Sequence, residues 1–194
     1  MSDKINTLKS ITSEVDIFNL QKSLSTVVCS SNEQGVTLIK QDAWVAVPVE
    51  SGYHFDNSDQ ERLLHAITYF ATTRLFAITL EYLDASDNII EIPLSRNGIA
   101  EFNRQYGHFN VVLFPELLNW VVICTTDDYF IVIGNQQFVE KVVGHSIEES
   151  FVEFRIFATD IHWPELVRQK LLIILNILEN EYQYAQRGAS VVLK

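Results

Sequence analysis

The sequence predicts an α+β fold: a mainly antiparallel sheet built from hairpins and packed against several helices, including a long C-terminal helix. Three observations predict it. Short β-rich runs follow one another across tight polar turns, as in "TVVCS", "GVTLIK" and "AWVAVPV". Helical spacings fall between and after such runs, without a regular strand–helix alternation. After Asp160, "IHWPELVRQKLLIILNILENEYQYAQ" holds one helix of roughly 24 residues, which at about 1.5 Å per residue would extend ~36 Å. With 194 residues and no internal repeat, linker or low-complexity tract, a single globular domain over 1–194 is expected.

Ser13 lies three residues before Asp16, a capping-box spacing with Asp in the Glu place, and opens a short helix whose Val15, Phe18 and Lys22 stem share a face. The three β-rich runs follow as a small antiparallel meander turning at "SNEQG" and "QDA". Pro48 puts the third run at a sheet edge or at its own end, because proline brings no N–H to a ladder. Ser58 and Glu61 have capping-box spacing, and Leu63, Ile67, Phe70 and Arg74 continue at helical spacing. Period two then takes over. Phe76, Ile78, Leu80 and Tyr82 lie on one face, "DASDN" turns the chain, and Asn88 to Leu94 returns as the partner strand.

"SRNGIAEFNRQYG" reads as a short helix from near Asn97 to Gly107, and "FNVVLF" as a strand ended by "PELLN". "WVVIC" and "YFIVI" are apolar on both faces, so both faces should be covered. Thr125 to Asp128 supplies the turn between them, where Asp and Thr side chains can accept hydrogen bonds from backbone amides. A short amphipathic helix fills the space between Gly134 and Gly144. Ser146 and Glu149 then form a capping box for the helix that carries Phe151, Phe154 and Phe157. Pro164 suits the first turn of the last helix, whose N–H groups have no intrahelical partner. In that helix "LLIILNIL" is apolar nearly all round. Leu171 to Leu178 should therefore be covered on most sides, by the core or by a second copy of the chain.

Hydrophobic residues make up 47% and charged residues 20%, which excludes a disordered or collagen-like chain. The formal net charge of −11, from 25 acidic and 14 basic side chains, opposes binding to nucleic acid or anionic membrane. It favours a partner with a basic surface, although the same balance suits many ordinary cytosolic proteins. The opening "MSDKINTLKSITSEV" has no apolar core of signal-peptide length, and no apolar run approaches the roughly 20 residues that span a bilayer. A soluble cytoplasmic protein is expected. Cys29 and Cys124 are the two cysteines and form no CxxC pair, so both are read as reduced and buried.

Phosphate loops of the GxxxxGK type, GxGxxG, GxSxG and HExxH are all absent from the sequence, and its basic residues are scattered. No catalytic residue, metal or cofactor is assigned. Asp127 and Asp128 could bind a hard cation or act as an acid–base pair, but adjacent strand residues point to opposite faces and a solvated turn is the simpler reading. Cys124 could be a nucleophile with His145 or His108 as base, yet it sits inside an apolar run where a thiol is an inert small hydrophobe. The five histidines show no paired ligand spacing.

The segment from Gly144 to Val167 sets five carboxylates (Glu148, Glu149, Glu153, Asp160, Glu165) against Arg155, with Phe151, Phe154, Phe157 and Trp163 among them. Large aromatics inside an acidic rim describe a protein-binding surface. The i, i+3, i+6 spacing of the phenylalanines suits a buried stripe still better. The expected function is accordingly non-enzymatic binding of a macromolecular partner, a protein with a basic surface, in an inhibitor, immunity-like or adaptor role. Its candidate contacts are Glu148, Glu149, Glu153, Phe154, Asp160 and Trp163. The alternatives are a small-ligand protein or enzyme using Asp127, Asp128, Cys124 and His145, and a subunit that forms a homodimer through the C-terminal helix.

Overall fold

The computed structural model describes residues 8–30, 36–38, 41–52, 54–80, 89–184 and 191–193. In chain order its elements are β1 (Lys9–Ser10), α1 (Glu14–Leu24), β2 (Val28–Ser30), β3 (Val36–Leu38), β4 (Trp44–Glu50), α2 (Asn57–Tyr69), β5 (Leu75–Thr79) and β6 (Ile90–Ile92). They continue with α3 (Arg96–Tyr106), β7 (Val111–Pro115), β8 (Trp120–Cys124), β9 (Tyr129–Asn135), α4 (Gln136–Val143), α5 (Ile147–Ala158), α6 (Glu165–Tyr184) and β10 (Val191–Leu193). The described strands form a seven-stranded sheet in the order β1-β6-β5-β7-β8-β9-β4 and a three-stranded sheet in the order β10-β3-β2. Their pairings are antiparallel, so the α+β expectation holds.

The expected β5–β6 pair forms, with Phe76 opposite Glu91 and Ala77 opposite Ile90, and all five residues of β5 are buried. The turns placed at "SNEQG" and "DASDN", and the position of Tyr82, lie outside the described residues, as does the proposed helix end at Gln186. The meander is only half present. β2 pairs with β3, whereas β4 leaves them and pairs with β9 from Trp44↔Asn135 to Glu50↔Tyr129. It becomes the edge of the large sheet, which is where Pro48 is tolerated.

Strand alternation puts Trp120, Val122, Cys124, Phe130 and Val132 on one face of that sheet. There Phe138 of α4 stacks on Trp120 with centroids 4.6 Å apart, and Phe55 leans on Phe130. Tyr129 points to the other face and meets Phe154 of α5 edge-on. Both faces of β8 and β9 are thus covered, which explains their unbroken apolar composition.

Two helices differ from the sequence reading. In α1 the buried residues are Ile17 and Leu24, while Val15 and Phe18 are exposed. The Val15–Phe18 spacing is helical, but a helix this rich in scattered apolar residues offers two candidate faces, and packing selects the other one. For α2 the cap is Asp56, boxed with Asp59, and Ser58 instead donates its hydroxyl to Asp56 and accepts from Arg62 Nη1. The last helix, α6, runs for 20 residues, about 30 Å. It buries Leu171, Ile174, Leu175 and Leu178, packs the half-buried Leu172 and Ile177 against the core on either flank, and leaves Ile173 58% exposed. From Leu171 to Leu178 the chain itself therefore covers this helix on most sides, as expected, and leaves a narrow exposed strip at Ile173 and Asn176.

Candidate functional site

A cleft of about 300 Å³ opens beside β4, where the strand ends and α2 begins. Ser51 fixes this passage: its amide donates to the Asp128 carbonyl and its buried hydroxyl to the His54 carbonyl. At the head of α2, Asp56 Oδ1 accepts the Asp59 amide at 2.7 Å and Asp59 Oδ2 accepts the Asp56 amide at 3.0 Å. One turn further on, Arg62 donates Nη2 to Asp59 Oδ1 and Nε to the Val142 carbonyl at the end of α4. A single guanidinium therefore ties two helices together across the cleft wall.

Gly144 follows α4 at φ +88°, and a Cβ there would lie 2.7 Å from Arg62 Cδ. Only glycine meets both requirements, a left-handed backbone and room for the arginine stem. Next come His145 and Ser146, the cap of α5. As the spacing predicts, Ser146 Oγ accepts the Glu149 amide and Glu149 Oε2 accepts the Ser146 amide.

Lining the cleft are Pro48, Val49, Glu50, Ser51, Gly52, Asp56, Asp59, Arg62, Val143, His145, Ser150, Glu153 and Phe154. Four of these are carboxylates and one is a guanidinium. Burial, reinforced by the Asp56 charge, holds the Asp59 carboxyl above the usual carboxylate range despite its hydrogen bond from the Asp56 amide and the nearby Arg62. Asp56 is shifted the opposite way, chiefly by the Asp59 amide it accepts. The electrostatic effect is a concave, negatively biased surface with one charge buried in its wall.

His145 stands between two partners in the cleft, with Nδ1 3.2 Å from Ser150 Oγ and Nε2 3.0 Å from Glu153 Oε2. The grouping has the residue types of a nucleophile, base and acid. Ser150, however, is 3% exposed and its hydroxyl donates to the Ser146 carbonyl one turn back. That hydroxyl holds the first turn of α5 and offers no accessible nucleophile. What the arrangement does is hold Glu153 at the cleft rim through the imidazole.

The sequence-derived candidates divide clearly. Glu148, Glu149, Glu153 and Asp160 are exposed, with Asp160 accepting the His162 amide. Phe154 is 1% exposed and packs on Tyr129 and Phe157, so it faces the core and presents no surface. Its stripe-mates Phe151 and Phe157 are buried with it. Trp163 is half-buried, edge-on to Phe157. The alternative set does not converge. Asp127 pairs with Lys170, Asp128 is exposed at φ 58° in the turn, and Cys124 is fully buried, which pushes its thiol well up. His145 alone reaches the cleft.

Thr125 accounts for the rest of that turn: its hydroxyl donates to the Tyr129 carbonyl at 2.6 Å and accepts the Asp127 amide. These are hairpin duties, not chemistry. The Cys29 side chain lies outside the described residues.

Sequence reasoning missed Glu50, Asp56, Asp59 and Arg62, and it missed the exposed aliphatics of α5, Val152 and Ile156. The D-x-x-D spacing of Asp56 and Asp59 is a local signal that could have located the cap. The Arg62–Val142 bond, between residues 80 apart, carries no such signal. Among the described residues no helix is long and apolar enough to cross a membrane. Compared with family models, with curated proteins and with solved structures, the chain has no significant match.

Proposed function

We propose that this chain works by binding a macromolecular partner, a protein with a basic surface, as an inhibitor, an immunity-like protein or an adaptor. The observation that carries this reading is the distribution of side chains on α5. Its glutamates Glu148, Glu149 and Glu153 stand at the surface while its three phenylalanines are in the core. With a net charge of −11 behind it, such a surface attracts a basic partner over a Debye length of about 8 Å at physiological salt. Association is expected to be fast and to weaken as salt rises. Affinity capture from the native lysate at low and high salt, read by mass spectrometry, tests it. A basic protein retained at low salt and released at high salt is expected; retention indifferent to salt would contradict the reading.

A second reading, that the cleft holds a small ligand, is favoured by its concavity and by the charged groups that line it. Under that reading a metabolite screen raises the melting temperature with a saturable dose dependence, and Glu50→Gln reduces the rise. No shift across polar and cationic metabolites would dismiss it.

A further inference from the structure

Eleven large hydrophobic side chains are exposed among the described residues, and five of them, Val152, Ile156, Ile161, Leu166 and Ile173, fall within the α5–α6 hairpin. Val152 and Ile156 are four residues apart on α5, so they are neighbours on one face, opposite the buried Phe151, Phe154 and Phe157. They are 58% and 68% exposed. Glu148 and Glu149 precede Val152 by four and three residues, and Glu153 precedes Ile156 by three, so carboxylates flank the aliphatic pair along the same face.

The cations of the hairpin are already engaged within the chain. Arg155 pairs with Glu179, Arg168 with Glu165, and Lys170 with Asp127. From His145 to Asn180 there are six carboxylates and three cations. A second copy of this chain would bring the same acidic excess to the same patch, which disfavours self-pairing there.

Resting on the binding reading above, we propose that the outer face of α5 docks a basic amphipathic helix of the partner protein. Apolar side chains of that helix cover Val152 and Ile156, and its Lys or Arg residues meet Glu148, Glu149 and Glu153. This is the helix-on-surface mode of recognition, in which aliphatic anchors supply affinity and the charged rim sets orientation and rate. The acidic cleft lies at the N-terminal end of this face, and Glu153 belongs to both.

The test uses the full chain and a fluorescent Leu/Lys peptide whose leucines repeat at helical spacing, with polylysine and a scrambled peptide of the same composition as comparators. Anisotropy titrations should show the helical peptide bound at least tenfold more tightly than the scramble. Val152→Ser/Ile156→Ser should remove that advantage, whereas Val15→Ser/Phe18→Ser, at exposed apolar positions on α1, should preserve it. Equal binding of helix and scramble, or an advantage that survives Val152→Ser/Ile156→Ser, overturns the docking face while leaving the binding reading intact. No salt-sensitive binding of any cationic probe counts against both. A dimer in sedimentation that Val152→Ser/Ile156→Ser dissolves would assign the face to a second copy and overturn the proposal.

Discussion

Arg74 is held between two carboxylates, Glu91 Oε2 at 3.0 Å and Glu116 Oε1 at 3.1 Å, with its guanidinium over the ring of Phe76. The hydrogen bond from Arg74 holds the Glu91 carboxyl below the usual carboxylate range. A carboxylate depressed in the folded state adds stability above its unfolded pKa of about 4.3 and loses it as pH falls through the folded value. Asp59 runs the other way. Its folded value is raised, so its contribution is present below the unfolded pKa and is lost as pH rises through the folded one. Because both Arg74 and Glu91 are about a third exposed, Glu91→Gln should cost only about 0.5 kcal/mol at neutral pH and nothing once Glu91 is protonated. Urea unfolding at neutral and strongly acid pH checks this. An equal penalty at both would show that packing, not charge, gives Glu91 its role.

At the scale of elements, caps and hairpins were legible because their chemistry is local. Ser146 and Glu149 cap α5 as their spacing demands, Ser95 and Gly107 bound α3 near the residues expected, and β5 pairs with β6 as the antiparallel strands expected there. Ser146→Ala should cost about 1 kcal/mol of stability, since the Glu149 amide loses its acceptor. A thermal melt reads it, and an unchanged midpoint would mean that the box is idle. What escaped the sequence was partner choice. Period two tells which side chains of β4 share a face, not that Val47 will pair with Val132 across more than eighty residues. The two-sided helix α1 was misassigned for a related reason, because its sequence offers two apolar stripes and only the packing environment chooses one. The site was legible to the same degree. The surface position of Glu148, Glu149 and Glu153 could be read from spacing against the phenylalanine stripe. The cleft, assembled from 48–62 and 143–154, could not.

For the whole molecule, the proposed function has an acidic chain of net charge −11 meeting a basic partner through α5 and its surroundings. Long-range attraction depends on the total charge, while the docked complex depends on a few residues, so the two can be separated. Salt should slow association, and local charge reversal should lower capture far more than the same reversal placed elsewhere on the surface. Glu149 also caps α5, so a reversal confined to Glu148 and Glu153 avoids damage to the capping box. The most direct measurement is capture from native lysate by the wild-type chain and by Glu148→Lys/Glu153→Lys in parallel, with mass readout. A basic protein held by the wild type and lost from the variant is expected; the same protein held equally by both would rule out docking through α5.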